Sequence, residues 1–481
     1  MKRILAFAFG CALLASACSS SAAAVSGSAD SRPPLRVELD TSSDNEPTEV
    51  VVSKAEQILE VLTVEQKIGQ LFVPVVAGSS ATELSADERA SNTAVSGFET
   101  PEEIIDEYHL GGVMYLAQNV AEASEAKALT SELQEGSPVP MLIAIDQEGG
   151  RVNRITEGVT VAPSAAELSG DAVEVEGASN LTATQVGALG VNVVLAPVGD
   201  LSAADDPGVI GNRSFGEDPT QTAEMVAAAV DGLQQGGVAA AVKHWPGHGA
   251  TDVDSHESKP FVRVSKDEWE EREKIPFEAA IDKGVQIVLV GHLSFPDFAP
   301  DDRVATVSDF LVDDLLRSEM GYEGVVMTDA LNMGAVADIS QSELGVQSLE
   351  AGIDMLLYPE NLEEMHAGVV GAVESGRISE ERLDQSVRRV LTLKASLGLF
   401  DDISPEEVVA NSLPSSDEEP DGDVEEGDSD PVDAGDQRAQ SSPPADEPEG
   451  QASTTTVPPP APPAPPAPST SGPTTTVVAA E

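Results

Sequence analysis

Eight short apolar runs, most followed by an amphipathic stretch, constrain this chain more than any other feature. They are Gly69–Val76, Gly112–Leu116, Met141–Ile145, Val191–Pro197, Val238–Val242, Val285–Val290, Gly324–Met327 and Ile353–Tyr358. Most are continuous rather than alternating, the pattern of strands buried on both faces of a parallel sheet. Helical stretches lie between them, among them Thr220–Gln235, Lys266–Lys283 and Val307–Glu319. A last one, Ser379–Leu397, sets Leu383, Val387, Val390, Leu391 and Leu397 mainly on one face. Eight strand–helix units in about 350 residues predict an α/β fold, a single (β/α)8 TIM-type barrel. A doubly wound open sheet is the alternative.

A barrel builds its site at the C-terminal ends of its strands. Polar residues stand at those positions. The third run ends in Asp146-Gln147-Glu148-Gly149-Gly150-Arg151-Val152-Asn153-Arg154. The fourth leads to Asp200, and its loop carries Asn212-Arg213-Ser214-Phe215-Gly216. The fifth ends at Lys243-His244, the sixth at His292, and the seventh at Thr328-Asp329-Ala330-Leu331-Asn332-Met333.

The densest stretch is AVKHWPGHGATDVDSHESKP, Ala241 to Pro260, which holds three of the six histidines. Its strand is expected to deliver Lys243 and His244. Pro246, Gly247 and Gly249 break regular structure, so Asp254 and His256 are expected on a mobile loop. A polar loop is ordinarily no more than a solvated turn. Here Lys-His and Asp-x-His pairs flank a glycine-rich hinge, which points to chemistry.

KHWPGHGATDVDSH resembles the signature of the family 3 glycoside hydrolases, in their bacterial β-N-acetylhexosaminidase branch. That signature is a Lys-His-aromatic-Pro-Gly-His-Gly run followed by Asp-Ser-His. The resemblance implies a retaining exo-glycosidase that removes terminal β-linked N-acetylglucosamine from cell-wall fragments or chitooligosaccharides, with no cofactor and no metal. VVMTDALNMG resembles the family's nucleophile motif, which assigns Asp329 as nucleophile. Taken alone, an Asp there also suits a helix cap. Asp254-Ser255-His256 matches the family's dyad, with His256 as acid/base and Asp254 as its partner. A histidine titrates near neutrality, and an adjacent carboxylate orients it and favours its protonated form. Gly247 and Gly249 are expected to let the loop swing over substrate. The resemblance also implies that Asp146, Arg154, Arg213, Lys243 and His244 bind substrate.

Other residues are expected to have lesser roles. His248 is expected to support the loop, and neither it nor Asp252 joins the catalytic set. Glu148 and Arg151 suit a structural ion pair better than ligand contact, and His292 stands between support of the site and core. Relatives acting on β-glucosides or β-xylosides usually take the acid/base from a second domain, and some with the His dyad transfer the sugar to phosphate. Two unrelated classes compete. A metallohydrolase would use His244, His248, Asp252, Asp254 and His256, but H-x₃-H in a Pro/Gly-broken segment does not put both rings on one helical face. A non-catalytic sugar-binding lipoprotein would have lost Asp329 or His256.

The ends read differently. Met1-Lys2-Arg3 and the apolar run Ile4–Ala17 fit a secretory signal peptide. Leu14-Ala15-Ser16-Ala17-Cys18 resembles a lipobox, so residues 1–18 are expected to be cleaved or anchored at a lipidated Cys18. Both cysteines, Cys11 and Cys18, lie here, so the globular part has no disulfide. Residues 19–49 read as a Ser/Ala-rich, acidic tether, 50–404 as the catalytic domain, and 405–481 as an acidic, Pro/Thr-rich tail expected to be disordered. The net charge of −58 argues against a nucleic-acid partner. The expectation is an exported monomer held at the cell envelope by its lipid alone. Changing Cys18→Ser should then move the protein from the membrane fraction to the soluble one with unchanged specific activity; a wild type already soluble after export would refute the anchor.

Overall fold

Each apolar run supplies a strand. In the computed structural model, which describes residues 49–411 apart from 204, 206, 207 and 252, the strands are β1 (Phe72–Val73), β2 (Gly112–Tyr115), β3 (Leu142–Ile145), β4 (Gln147–Gly149), β5 (Val152–Asn153), β6 (Val193–Val194), β7 (Ala239–Trp245), β8 (Ile287–Val290), β9 (Val325–Thr328) and β10 (Leu356–Leu357). Cys18, the tether up to residue 48 and the tail beyond residue 411 lie outside the described residues, as does Asp252. No described helix is long and apolar enough to cross a membrane.

The strands β2-β3-β6-β7-β8-β9 form one parallel sheet in sequence order, and β1 pairs with β10 in parallel. The order never reverses, as a doubly wound sheet requires, so that alternative falls. Backbone bonds continue past both edges of the six-stranded sheet. Met114 N donates to Pro74 O at 2.9 Å beside β1, and Thr328 N to Met355 O at 3.0 Å beside β10. The result is an α/β fold with a curled parallel sheet. Strands β4 and β5 make a small antiparallel hairpin that no apolar pattern announces.

Curling explains the continuous apolar runs. Val73, Met114, Leu142, Val193, Ala241 and Leu289 share one inner cluster with Val325 and Leu357. Their neighbours Val113, Ile143, Val194, Val242, Val288 and Val326 face the larger core shared with the helices. Both faces are buried, so neither can be polar. The helix Glu380–Ser396 sends Val390 and Leu393 into the inner cluster. On the same helix, the ammonium of buried Lys394 donates to Gln70 Oε1 at 2.6 Å. Buried Asp354 ties this helix to the sheet: it accepts Ser386 Oγ at 2.6 Å, Arg389 Nη1 at 3.1 Å, Val326 N at 3.0 Å and Arg317 Nη2.

Three expectations change. The stretch 266–283 is two helices, Lys266–Glu271 and Lys274–Asp282. Pro276 cannot donate to the carbonyl of Arg272 and clashes with it, so the helix restarts with Pro276 in its first turn. Strand β7 runs three residues past Val242, because Trp245 is fully buried against Trp269 and Phe277 and its Nε1 donates to Leu311 O at 2.9 Å. The folded part does not stop at 404. Ser404 caps a further helix, Pro405–Asn411, whose Val408 is 1% exposed and packs on the helix Glu49–Val61. Val408→Asp should therefore lower unfolding stability by about 2 kcal/mol, the worth of one buried valine, read from urea melts. An unchanged midpoint would place that helix outside the core.

Candidate active site

The hairpin β4–β5 and the end of β7 converge on one buried charge cluster. Lys243 is 3% exposed, and its Nζ lies 2.8 Å from Asp146 Oδ1 and 2.6 Å from Glu148 Oε1. Asp146 Oδ2 also accepts Arg154 Nη2 at 2.6 Å. Glu148 accepts Arg213 in a two-pronged contact, Nε and Nη2 both at 2.8 Å. Burial alone pushes both carboxyls up, but Lys243 and the arginines outweigh it. Asp146 ends well below the carboxylate range, and Glu148 falls to about 2. Burial works against the Lys243 ammonium too, yet its two carboxylates hold its pKa above the ordinary value. Four of the five substrate-binding candidates thus meet here: Asp146, Arg154, Arg213 and Lys243. The expected pair Glu148–Arg151 does not form. Arg151 Nη2 donates instead to the carbonyls of Val209 (2.6 Å) and Ile210 (3.2 Å).

The fifth, His244, is oriented by a residue that the sequence reading missed. Asp200 is 1% exposed and accepts His244 Nδ1–H at 2.6 Å. Its Oδ1 takes His248 N at 2.7 Å and His244 N at 3.2 Å. Burial pushes the Asp200 carboxyl up, and the two histidines bring it below its usual value. With its proton on Nδ1, His244 turns Nε2 toward Arg213 Nη2, 3.5 Å away. The only sequence signal for Asp200 was its place after the fourth run.

Asp329 stands directly after β9. Its N–H donates to Val290 O at 2.9 Å, which fixes the backbone to β8, and its Oδ1 accepts Ala330 N at 2.8 Å. Burial raises the carboxyl, but the His244 and His292 rings, the Ala330 N–H and Lys243 together lower it, so it stays ionised. His292 is fully buried, with Nδ1 2.6 Å from Thr306 Oγ1 and Nε2 2.9 Å from Ala330 O. A carbonyl only accepts, so Nε2 carries the proton. His292 therefore supports the segment that holds Asp329.

The Asp-x-His pair forms as the sequence predicts. His256 Nδ1 lies 2.8 Å from Asp254 Oδ1, which also accepts His256 N at 2.9 Å. The His256 side chain is 64% exposed. Its loop is tied to the segment after Asp329, since Gly334 N donates to His256 O at 3.0 Å and Ala335 N to Ser255 O at 3.1 Å. The glycines are not a loose hinge. A Cβ on Gly249 would sit 1.8 Å from Leu201 O, and Gly247, at φ 125°, lies against Glu273. These glycines allow close approach where any side chain would collide. His244, His248 and His256 each turn to a different partner: Asp200, Ser255 and Asp254. Among the described residues no group of three His, Cys, Asp or Glu side chains gathers as a metal site would need.

The family model for the glycosyl hydrolase family 3 N terminal domain matches residues 63–393. The chain belongs to glycosyl hydrolase family 3. A family 3 likeness runs through named relatives. The β-N-acetylglucosaminidase/β-glucosidase of Cellulomonas fimi is 33% identical over 302 residues, 60% of this chain and 53% of that protein. The β-hexosaminidase of Photobacterium profundum is 32% identical over 295 residues, 60% of this chain and 83% of that one. A solved family 3 β-N-acetylglucosaminidase from Paenibacillus sp. str. FPU-7 superposes with a TM-score of 0.65 at 40% identity, covering 70% of this chain and 63% of that one. The match thus spans about half the length of the Cellulomonas protein and under two thirds of the Paenibacillus one.

The pH response of the family 3 charge cluster follows from its pKa directions. Glu148 binds a proton near 4.5 when unfolded and near 2 when folded. Its stabilisation is complete above the unfolded value and drains away as pH falls from there toward 2. Glu148→Gln should cost about 3–5 kcal/mol at pH 7, as for one partner lost from a buried pair. The gap to wild type should narrow as pH drops below 4.5 in urea unfolding series. A gap independent of pH would mean that Glu148 is not ionised in the fold.

Proposed function

We propose that this chain is a retaining exo-β-N-acetylglucosaminidase on a closed (β/α)8 barrel, exported and anchored at the cell envelope through a lipidated Cys18. Closure of the barrel is supported by the hydrogen bonds that run from β2 to the β1 segment and from β9 to the β10 segment. The observation that carries the catalytic reading is Asp329: an ionised carboxylate on rigid backbone, at the end of a strand, with positive and polar groups around it.

In this reading Asp329 attacks the anomeric carbon while the bond to the leaving oxygen breaks. His256 supplies the proton. Its Nδ1 is committed to Asp254, so Nε2 is the nitrogen that faces outward. His256 then takes a proton from water, which attacks the covalent intermediate and frees Asp329. Burial pushes the Asp254 carboxyl up, but its contacts with the His256 N–H and ring lower it. It thus stays charged and holds the ring in place.

The charge cluster holds the sugar. Both Asp146 oxygens already accept a cation, and each has a lone pair left for a sugar hydroxyl. Arg154, with 30% of its side chain exposed, is the reachable edge of the cluster. The relatives' names support N-acetylglucosamine as the sugar. Cell-wall fragments and chitooligosaccharides are the substrates that carry it at a β-linked terminus.

Aryl β-glycosides that differ only at C2, assayed with and without phosphate, test the sugar and the acceptor together. Asp329→Asn should abolish turnover on all of them. His256→Ala should slow disaccharides by about 10²–10⁴-fold, the worth of general acid catalysis, and nitrophenyl glycosides far less, with azide restoring the latter. Equal losses on both substrates, without rescue, would take proton transfer away from His256.

A further inference from the structure

His248 has no part in the mechanism above, yet it is 2% exposed in the middle of the site. Among the described residues its ring makes one hydrogen bond, between Nε2 and Ser255 Oγ at 3.1 Å. Nδ1 is buried and meets no hydrogen-bond partner among the described residues. Such a nitrogen costs about 1–3 kcal/mol, so a residue kept only for packing would be better replaced by an apolar one. Ser255 is itself 2% exposed and lies between Asp254 and His256 in the chain. It is the one buried residue of the triplet, since the side chains of Asp254 and His256 are 35% and 64% exposed.

The other end of this contact is equally fixed. Asp200 Oδ1 accepts the His248 N–H at 2.7 Å, and the same carboxylate holds the His244 ring through Oδ2. The His244 and His248 rings meet edge to face at 5.8 Å. A continuous set of contacts therefore runs from the sugar-side histidine, through Asp200 and His248, to the hydroxyl between the two dyad residues.

We infer that His248 and Ser255 form a clip that positions the Asp254–His256 dyad for proton transfer, with Asp200 as its footing. The inference builds on His256 as the acid/base. The clip touches neither substrate nor proton; both residues are positioning residues. Its work is to hold the backbone on which the imidazole is mounted, so that Nε2 meets the leaving oxygen without a search of loop conformations.

A positioning role for proton transfer has a signature that simple loss of structure lacks. Ser255→Ala should lower kcat on a disaccharide or alkyl glycoside by about tenfold, one hydrogen bond's worth. On a nitrophenyl glycoside, whose leaving group needs no proton, the glycosylation rate should stay within about twofold of wild type, and KM should not rise on either. His248→Gln keeps a hydrogen-bonding group at the reach of Nε2 and should retain most activity, whereas His248→Leu should match Ser255→Ala. The double variant His248→Leu/Ser255→Ala should be no worse than either single change, because both remove the same contact. The control is His256→Ala in the same assays. If His256→Ala separates the two leaving groups and Ser255→Ala does not, the clip is wrong and the acid/base assignment stands. If His256→Ala fails to separate them, the acid/base assignment falls and the clip falls with it. Thermal melts run alongside detect misfolding of His248→Leu; Ser255→Ala, which removes only a hydroxyl, then carries the test.

Discussion

The site depends on charge compensation around one buried ammonium. Lys243 sits at the end of a strand where both faces are apolar, and an unpaired cation there would cost several kcal/mol. Asp146 and Glu148 offset that cost, and each needs a second cation, Arg154 and Arg213, to be stable itself. None of the five can be withdrawn alone. The cluster therefore fixes the hairpin after β3 against the end of β7 and the loop that carries Arg213. Backbone bonds also hold the end of β7, with Lys243 N donating to Pro197 O at 3.0 Å and Gly291 N to Trp245 O at 2.9 Å. Pairing of fixed charges, together with these backbone bonds, gives the floor of the site its geometry.

Much of this was legible in the chain. A sheet buried on both faces leaves continuous apolar runs, so all eight strands were visible even where, as with Val193–Val194, only two residues are formally paired. The dyad was legible because its partners are two residues apart. Contacts over longer separations were not. Nearness in sequence pairs Glu148 with Arg151, but its partners in space are Arg213 and Lys243. Lys243 and His244 looked like the first residues after a strand, because a lysine normally ends an apolar run; with two carboxylates beside it, the strand goes on to Trp245. Asp200, a single acidic residue in a loop, had no local pattern to mark it. Gly247 and Gly249 suggested a hinge, and only the neighbours at Glu273 and Leu201 show that they are points of close contact.

The dyad loop combines two conditions that usually exclude each other. Its lower edge is packed as tightly as the core, with His248 and Ser255 nearly inaccessible. Its upper edge is open, with most of the His256 ring in solvent. An imidazole mounted in this way is open to solvent on one side while its backbone is fixed from the buried side, which is what the proposed role of His256 asks of it.

The inward placement of paired charges has a consequence for the outside. The chain has 26 lysines and arginines against 84 acidic residues, and Lys243, Lys394, Arg213 and Arg317 point into the fold rather than away from it. The carboxylates of Asp146, Glu148, Asp200, Asp329 and Asp354 are turned inward with them, so the buried charges nearly cancel and the net charge of −58 is carried almost wholly by the rest of the chain. Its field reaches roughly one Debye length, about 8 Å at physiological ionic strength, and within that shell it holds back polyanions such as nucleic acids and teichoic-type polymers. An uncharged sugar crosses the same shell unhindered. The distribution of charge thus repels polyanions to a degree set by ionic strength, whatever the shape of the site behind it.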